Sequence, residues 1–213
     1  MAEAILESWR GRIPYQAALL GVVSTVAASL LVGANLLTRE PIAERQAEDL
    51  RASLSQVVPS ALYDNNLLTD TVEIRDGDAP VTVYQARHGG EVAAVAYPLT
   101  AYGYSGAISL LMSVDRNGAI LGVRVLAHAE TPGLGDKIEV QKSDWIRHFE
   151  GLTLNNPPPE KWAVKKDGGV FDSFSGATIT PRGVVAAIHH GLELFQDHRA
   201  EVLRVDSNEG SKP

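Results

Sequence analysis

Hydrophobic positions fall into one unbroken apolar run near the start of the chain and a longer region of short alternating segments. From Ile13 to Thr38 no residue carries a charge, and Ala, Leu, Val, Ser and Gly fill most positions. As a helix this run is about 39 Å long at about 1.5 Å per residue, more than the roughly 30 Å hydrocarbon core of a bilayer. It predicts a transmembrane helix over 13–38, with Trp9 and Tyr15 as interfacial aromatics. Arg10 and Arg12 precede the run and Arg39 follows it. Two arginines beside the amino terminus assign residues 1–12 to the cytoplasm and the C-terminal part to the far side. The alternative is a cleavable signal peptide, since Val32-Gly33-Ala34 has small-x-small spacing. The run continues through Leu36 and Leu37, past an ordinary signal core, which favours the anchor.

Beyond the span, Leu50, Leu54 and Val57 recur at helical spacing and predict a membrane-proximal helix within 39–59, stopped by Pro59. Residues 65–78 read as polar and turn-rich. The pattern then suits strands: Val81 to Arg87, a Gly89-Gly90 turn and Glu91 to Leu99 form one expected β-hairpin. Ala107 to Val114, the turn Asp115-Arg116-Asn117-Gly118 and Ala119 to Leu126 form a second, because Asn-Gly tolerates positive φ. Tyr102-Gly103-Tyr104-Ser105-Gly106 is expected as a corner between the hairpins, and His128 to Gly135 as a loop. Ser143 caps an expected short helix over Asp144 to Phe149, and Trp162 to Lys165 is an expected short strand. Thr180 and Pro181 suit the N-cap and first position of a last helix reaching about Phe195, with a disordered tail over 206–213. The expected class is α+β: a single N-terminal transmembrane helix, then an exported domain over 60–205 of antiparallel hairpins and a few helices.

Charge and composition narrow the chemistry. A net charge of −7 disfavours nucleic acid as a partner, because phosphate binding needs a basic face. The chain has no cysteine, which excludes disulfides, iron–sulfur ligation and thiolate zinc sites. Of the six histidines, His128 lies near Glu130 without an obvious third ligand, and His189 and His190 point in different directions from one helix. No metal site is predicted. Ser175 lacks a G-x-S-x-G elbow, and Gly168-Gly169 lacks a dinucleotide fingerprint.

What remains is Asp172 to Thr180, reading D-S-F-S-G-A-T-I-T. Gly176 and Ala177 leave room around the Thr178 hydroxyl, and the adjoining helix start favours a phosphate there. Spacing alone favours an ordinary capped loop before a helix. Asp172, Ser175, Gly176, Ala177 and Thr178 match the D-x-x-(S/T)-G-A-T pattern read by a periplasmic FMN transferase. Glu130-Thr131-Pro132-Gly133-Leu134-Gly135 matches the E-T-P-G-L-G loop of the same proteins. In this order, behind one apolar span, the motifs make the chain resemble the G subunit of the Rnf-type electron transport complex over nearly its whole length. The C subunit of the sodium-translocating NADH:quinone reductase is similar but usually longer.

The resemblance implies an FMN-binding domain that carries covalent FMN on Thr178 through a phosphoester. It implies that Asp172 and Ser175, Gly176 and Ala177 present Thr178 to the transferase. Thr131 and Leu134 approach the isoalloxazine, while Glu130, Gly133 and Gly135 belong to the same loop and the glycines let its backbone pass close to the ring. Lys165, or equally Lys166, meets the polar edge of the ring or the phosphate. No catalytic residue is implied, since the cofactor carries the electrons. The implied partners are the other subunits of a membrane complex coupling NADH and ferredoxin electron transfer to ion translocation, the transferase, and membrane lipid. The implied location is a bacterial inner membrane, with the domain in the periplasm. A non-catalytic FMN-binding sensory or scaffold domain is the reading from another class.

Overall fold

A computed structural model describes residues 13–204 of the chain. The expected cytoplasmic N-terminus 1–12, with Trp9, Arg10 and Arg12, and the expected tail 206–213 lie outside the described residues. Helix α1 covers Ile13–Val57. Within it Gln16–Gly33 is long and apolar enough to cross a membrane, and none of that window is buried against the protein. Leu19, Leu20, Val22, Val26, Leu30 and Leu31 are all exposed, as suits side chains with lipid for a solvent. Thr25 donates its hydroxyl to the Gly21 carbonyl at 2.8 Å, satisfying a polar group that hydrocarbon would leave unpaired.

From Leu50 onward the residues form a compact unit built on one sheet. This unit starts ten residues before the domain expected at 60, because the last turns of α1 supply Leu54 and Val57, both fully buried. Ser113 donates to the Val57 carbonyl at 2.5 Å, so a sheet hydroxyl satisfies an acceptor at the helix end.

The sheet is a five-stranded antiparallel meander, in spatial order β1 (Thr71–Asp76), β2 (Ala79–His88), β3 (Glu91–Tyr102), β4 (Ala107–Asp115) and β5 (Ile120–Ala127). Strand β1 replaces the turn-rich stretch expected over 65–78. As an edge strand it buries only Ile74 and turns Glu73 and Arg75 to solvent, so its apolar signal is weak. The corner expected at Tyr102 to Gly106 is a further hairpin turn, closed by Gly103 N–H donating to the Gly106 carbonyl at 2.8 Å. Alternation along β3 divides two packing layers. Ala94 and Ala96 face Leu54, Val57 and Leu67, while Val95, Tyr97, Leu99 and Ala101 face the larger core.

That larger core lies under helix α2 (Ile179–Val202), whose Val184, Val185, Ile188, Leu192 and Phe195 recur at helical spacing. Two glycines bring α2 onto the sheet. A Cβ at Gly183 would overlap the Tyr102 carbonyl, and one at Gly191 would meet Leu99 and Met112 side-chain ends at 2.7 Å. The buried Tyr97 hydroxyl donates to the Gly191 carbonyl at 2.8 Å, and burial pushes its pKa well above the ordinary phenol value. The segment between β5 and α2 is irregular, with a short 3₁₀ helix over Asp144–Phe149 capped by Ser143 as expected. In place of the strand expected over Trp162 to Lys165, Val164 makes a single bridge to Phe171 between two 3₁₀ turns.

Farther along α2, His190 Nε2 lies 3.0 Å from both carboxylate oxygens of Asp76 on β1. Its hydrogen bond to Asp76 raises the His190 pKa above its ordinary value, against some desolvation and with help from the charges of Asp76 and Glu193. A raised folded-state pKa gives stability that is complete below the unfolded value, about 6.5, and is lost as pH rises through the folded value. His190 is half exposed, so the contribution is about 0.5 kcal/mol. Thermal melts of the wild type and His190→Gln between about pH 5.5 and 8.5 should show the wild-type advantage shrinking toward alkaline pH. A difference independent of pH would contradict the clasp.

Candidate functional site

Local hydrogen bonding pre-shapes the loop after β5. Leu134 and Gly135 donate their N–H groups to the Thr131 carbonyl at 3.1 and 3.2 Å, and Gly133 donates to Asp136 Oδ1 at 2.8 Å. Gly133 has φ +80, a conformation that favours glycine. Glu130 N–H donates to His128 Nδ1 at 3.0 Å, which leaves Nε2–H to donate to Glu139 at 2.8 Å. Both ring nitrogens of His128 are therefore engaged within the loop.

The segment before α2 is fixed from below. Phe174 meets Trp145 edge to face at 5.1 Å, Trp145 Nε1–H donates to the Asp172 carbonyl at 2.9 Å, and Ala177 N–H donates to the Phe174 carbonyl. Gly176 adopts φ +80 at the tip, where a Cβ would stand 3.6 Å from Leu134. The two glycine-bearing loops thus meet at Gly176 and Leu134. Between them lies a cavity of about 220 Å³ lined by Tyr104, Glu130, Thr131, Leu134, Gly135, Gly176 and Ala177. Six of these seven are residues singled out from sequence.

Thr178 follows the lining residue Ala177 directly and is half-buried, with Ser175 and Gly176 exposed beside it. Helix α2 starts at Ile179, so Thr178 occupies the N-cap position expected for Thr180, yet its hydroxyl makes no capping bond. Among the described residues, that hydroxyl and the N–H groups of Thr178, Ile179 and Thr180 have no hydrogen-bond partner in the protein. Free N–H groups and the positive end of a 24-residue helix favour an anion there. Thr180 is buried because its hydroxyl donates to Glu130 Oε2 at 2.5 Å instead of capping the helix.

The charged candidates Lys165 and Asp172 stand outside the cavity lining. Lys165 and Asp172 pair with each other at 2.7 Å, both largely exposed. Arg182 donates twice to Asp167 at 2.5 Å, and this hydrogen bonding holds the Asp167 carboxyl below its ordinary pKa. Glu130 lines the cavity but is 6% exposed, with Oε1 accepting from Ser105 N–H at 2.9 Å as well as Oε2 from Thr180. Tyr104 is the lining residue to which the sequence assigns no role. It stands 75% exposed at the β3–β4 hairpin tip, and its only signal is an aromatic set between Gly103 and Gly106.

Comparison with known proteins agrees with this geometry. Residues 103–193, from the hairpin tip through most of α2, match the FMN-binding domain family. The G subunit of the ion-translocating oxidoreductase complex of Cereibacter sphaeroides is 56% identical over 92% of this chain and 90% of its own length. The chain belongs to the G-subunit family of ion-translocating oxidoreductase complexes. The corresponding protein of Stutzerimonas stutzeri is 45% identical over 98% of this chain and 90% of its own. The C subunit of the Na(+)-translocating NADH-quinone reductase of Parabacteroides distasonis shares the fold, with a TM-score of 0.51 at 22% identity over 74% of this chain and 96% of that one. Between the two relatives suggested by the motifs, identity along nearly the full length selects the G-subunit family.

Proposed function

We propose that this chain is a membrane-anchored electron-transfer protein that holds FMN covalently on Thr178, within a complex coupling oxidoreduction to ion translocation. The observation that carries the reading is the meeting of two distant motifs at one cavity beside an unengaged threonine hydroxyl. The residues fit the group. Leu134 and Tyr104 offer apolar surface to a flat ring, the glycines admit it closely, and the free N–H groups at the start of α2 suit a phosphoester.

When bound, FMN supplies the electron-carrying chemistry, and the protein supplies position and electrostatics. Thr178 provides the ester oxygen, Asp172 with Ser175 to Ala177 presents it to a periplasmic FMN transferase, and Thr131 and Leu134 face the ring. Lys165, held by Asp172, becomes available to the ring or phosphate if that pair opens. The apolar window of α1 anchors the chain in the bacterial inner membrane among lipid and partner subunits, with the folded domain in the periplasm.

The test is a spectroelectrochemical titration of the full chain, co-produced with a flavin transferase and purified in detergent. One reversible flavin couple is expected, and flavin-free protein alongside a demonstrably active transferase would overturn the reading. Leu134→Ala should keep the cofactor but shift its midpoint potential, because it removes apolar contact from one face of the ring. An unchanged potential would remove Leu134 from the ring contacts. A periplasm-dependent reporter fused at the C-terminus should be active, and an inactive but fully expressed fusion would reverse the topology.

A further inference from the structure

A hairpin tip, a loop and the start of helix α2 converge on one buried carboxylate. Glu130 Oε1 accepts from Ser105 N–H at 2.9 Å, at the tip of the β3–β4 hairpin that carries Tyr104. Glu130 Oε2 accepts from the Thr180 hydroxyl at 2.5 Å, two residues beyond Thr178. Glu130 itself begins the loop that carries Thr131 and Leu134. Two glycines are shaped around it: a Cβ at Gly103 would overlap Glu130 Oε1, and one at Gly135 would stand 2.5 Å from Oε2 and 3.1 Å from Thr180 Oγ1. These constraints fall on the two oxygens of the same carboxylate.

We infer that Glu130 is a positioning residue for the flavin site, holding the apolar platform and the phosphate anchor in fixed relation to each other. This rests on the flavin reading of the cavity. With both oxygens engaged and 6% of the residue exposed, Glu130 has little freedom to move without releasing the hairpin tip or the start of α2. Loss of either donor leaves a buried acceptor unpaired, so each bond opposes opening of the loops. Its charge beside the cavity also disfavours an added electron on the ring.

Glu130→Gln and Thr180→Val test the inference, with Thr180→Ser as the conservative variant that keeps the hydroxyl. In the full chain co-produced with the transferase, the flavin attached to each variant is quantified and its fluorescence is compared per bound flavin. Flavin fluorescence anisotropy should fall in both disruptive variants, toward that of a freely rotating tethered ring. Glu130→Gln should also favour the reduced form at least tenfold, a rise of about 59 mV for one electron. Thr180→Ser should match the wild type in anisotropy. Unchanged anisotropy and potential in both disruptive variants would overturn the positioning role. Without the transferase, hydrogen exchange in peptides covering 102–106 and 178–183 should quicken together in Glu130→Gln and in Thr180→Val. Unchanged exchange would refute the link through Glu130 itself, whereas absence of flavin from the wild type would refute only the underlying flavin reading.

Discussion

Thr178→Val is expected to leave a fully folded protein with no covalent flavin. Valine keeps the shape of threonine and removes only the hydroxyl, and that hydroxyl makes no hydrogen bond within the described structure. The capping role that a threonine before a helix usually fills is absent here, so the usual cost of about 1 kcal/mol for losing a cap does not arise. Stability should therefore change by less than about 0.5 kcal/mol. Attachment should be lost entirely, because no ester forms without the oxygen. Thr178→Ser should still accept the group. Absorbance of flavin retained after denaturation and filtration, read beside a melting curve, checks both halves. Flavin retained in Thr178→Val would move the attachment point elsewhere, and a large loss of stability would show that the hydroxyl has a structural duty.

Gly183→Ala is expected to be severely damaging where α2 meets the sheet. Its Cβ would overlap the Tyr102 carbonyl and lie 2.9 Å from the carbonyl carbon, and these are backbone atoms that cannot rotate away. Overpacking of this kind costs about 3 kcal/mol, at the upper end for an added methyl. The same methyl at Gly191 would meet the mobile ends of Leu99 and Met112, which can rotate away, so about 1 kcal/mol is expected there. Urea unfolding with an unchanged m-value checks the order of the two. Equal costs at both positions would mean that α2 does not depend on close approach to the end of β3. Because Tyr102 opens the hairpin tip and Gly183 lies one turn past Thr178, the substitution should also loosen the flavin site in whatever fraction folds.

How much the sequence discloses depends on how local the deciding physics is. The Asn117-Gly118 turn, the Ser143 cap and the helical stripe of α2 rest on neighbouring residues, and each is legible. Strand β1 is hidden because an edge strand with one buried side chain, Ile74, carries little alternation. The start of α2 differs from its expected place by two residues for a long-range reason: Thr180 has the chemistry of a cap, but Glu130, fifty residues away in sequence, takes its hydroxyl. The same separation conceals what Glu130 does, since its motif marks a loop and leaves its partners unspecified. Tyr104 escapes notice because exposure of an aromatic next to a cavity is a property of the folded hairpin alone. Lys165 is expected at the ring edge or the phosphate, whereas the fold pairs it with Asp172, another member of the attachment motif.

Where the flavin is joined to the chain can be read by peptide mass mapping of the wild type, co-produced with its transferase and then denatured and digested. The peptide containing Asp172 to Thr180 should gain the mass of one FMN less one water, with fragmentation assigning the addition to Thr178. An unmodified peptide beside an active transferase, or an addition on Ser175, Thr180 or any other residue, would contradict the covalent site proposed for this protein.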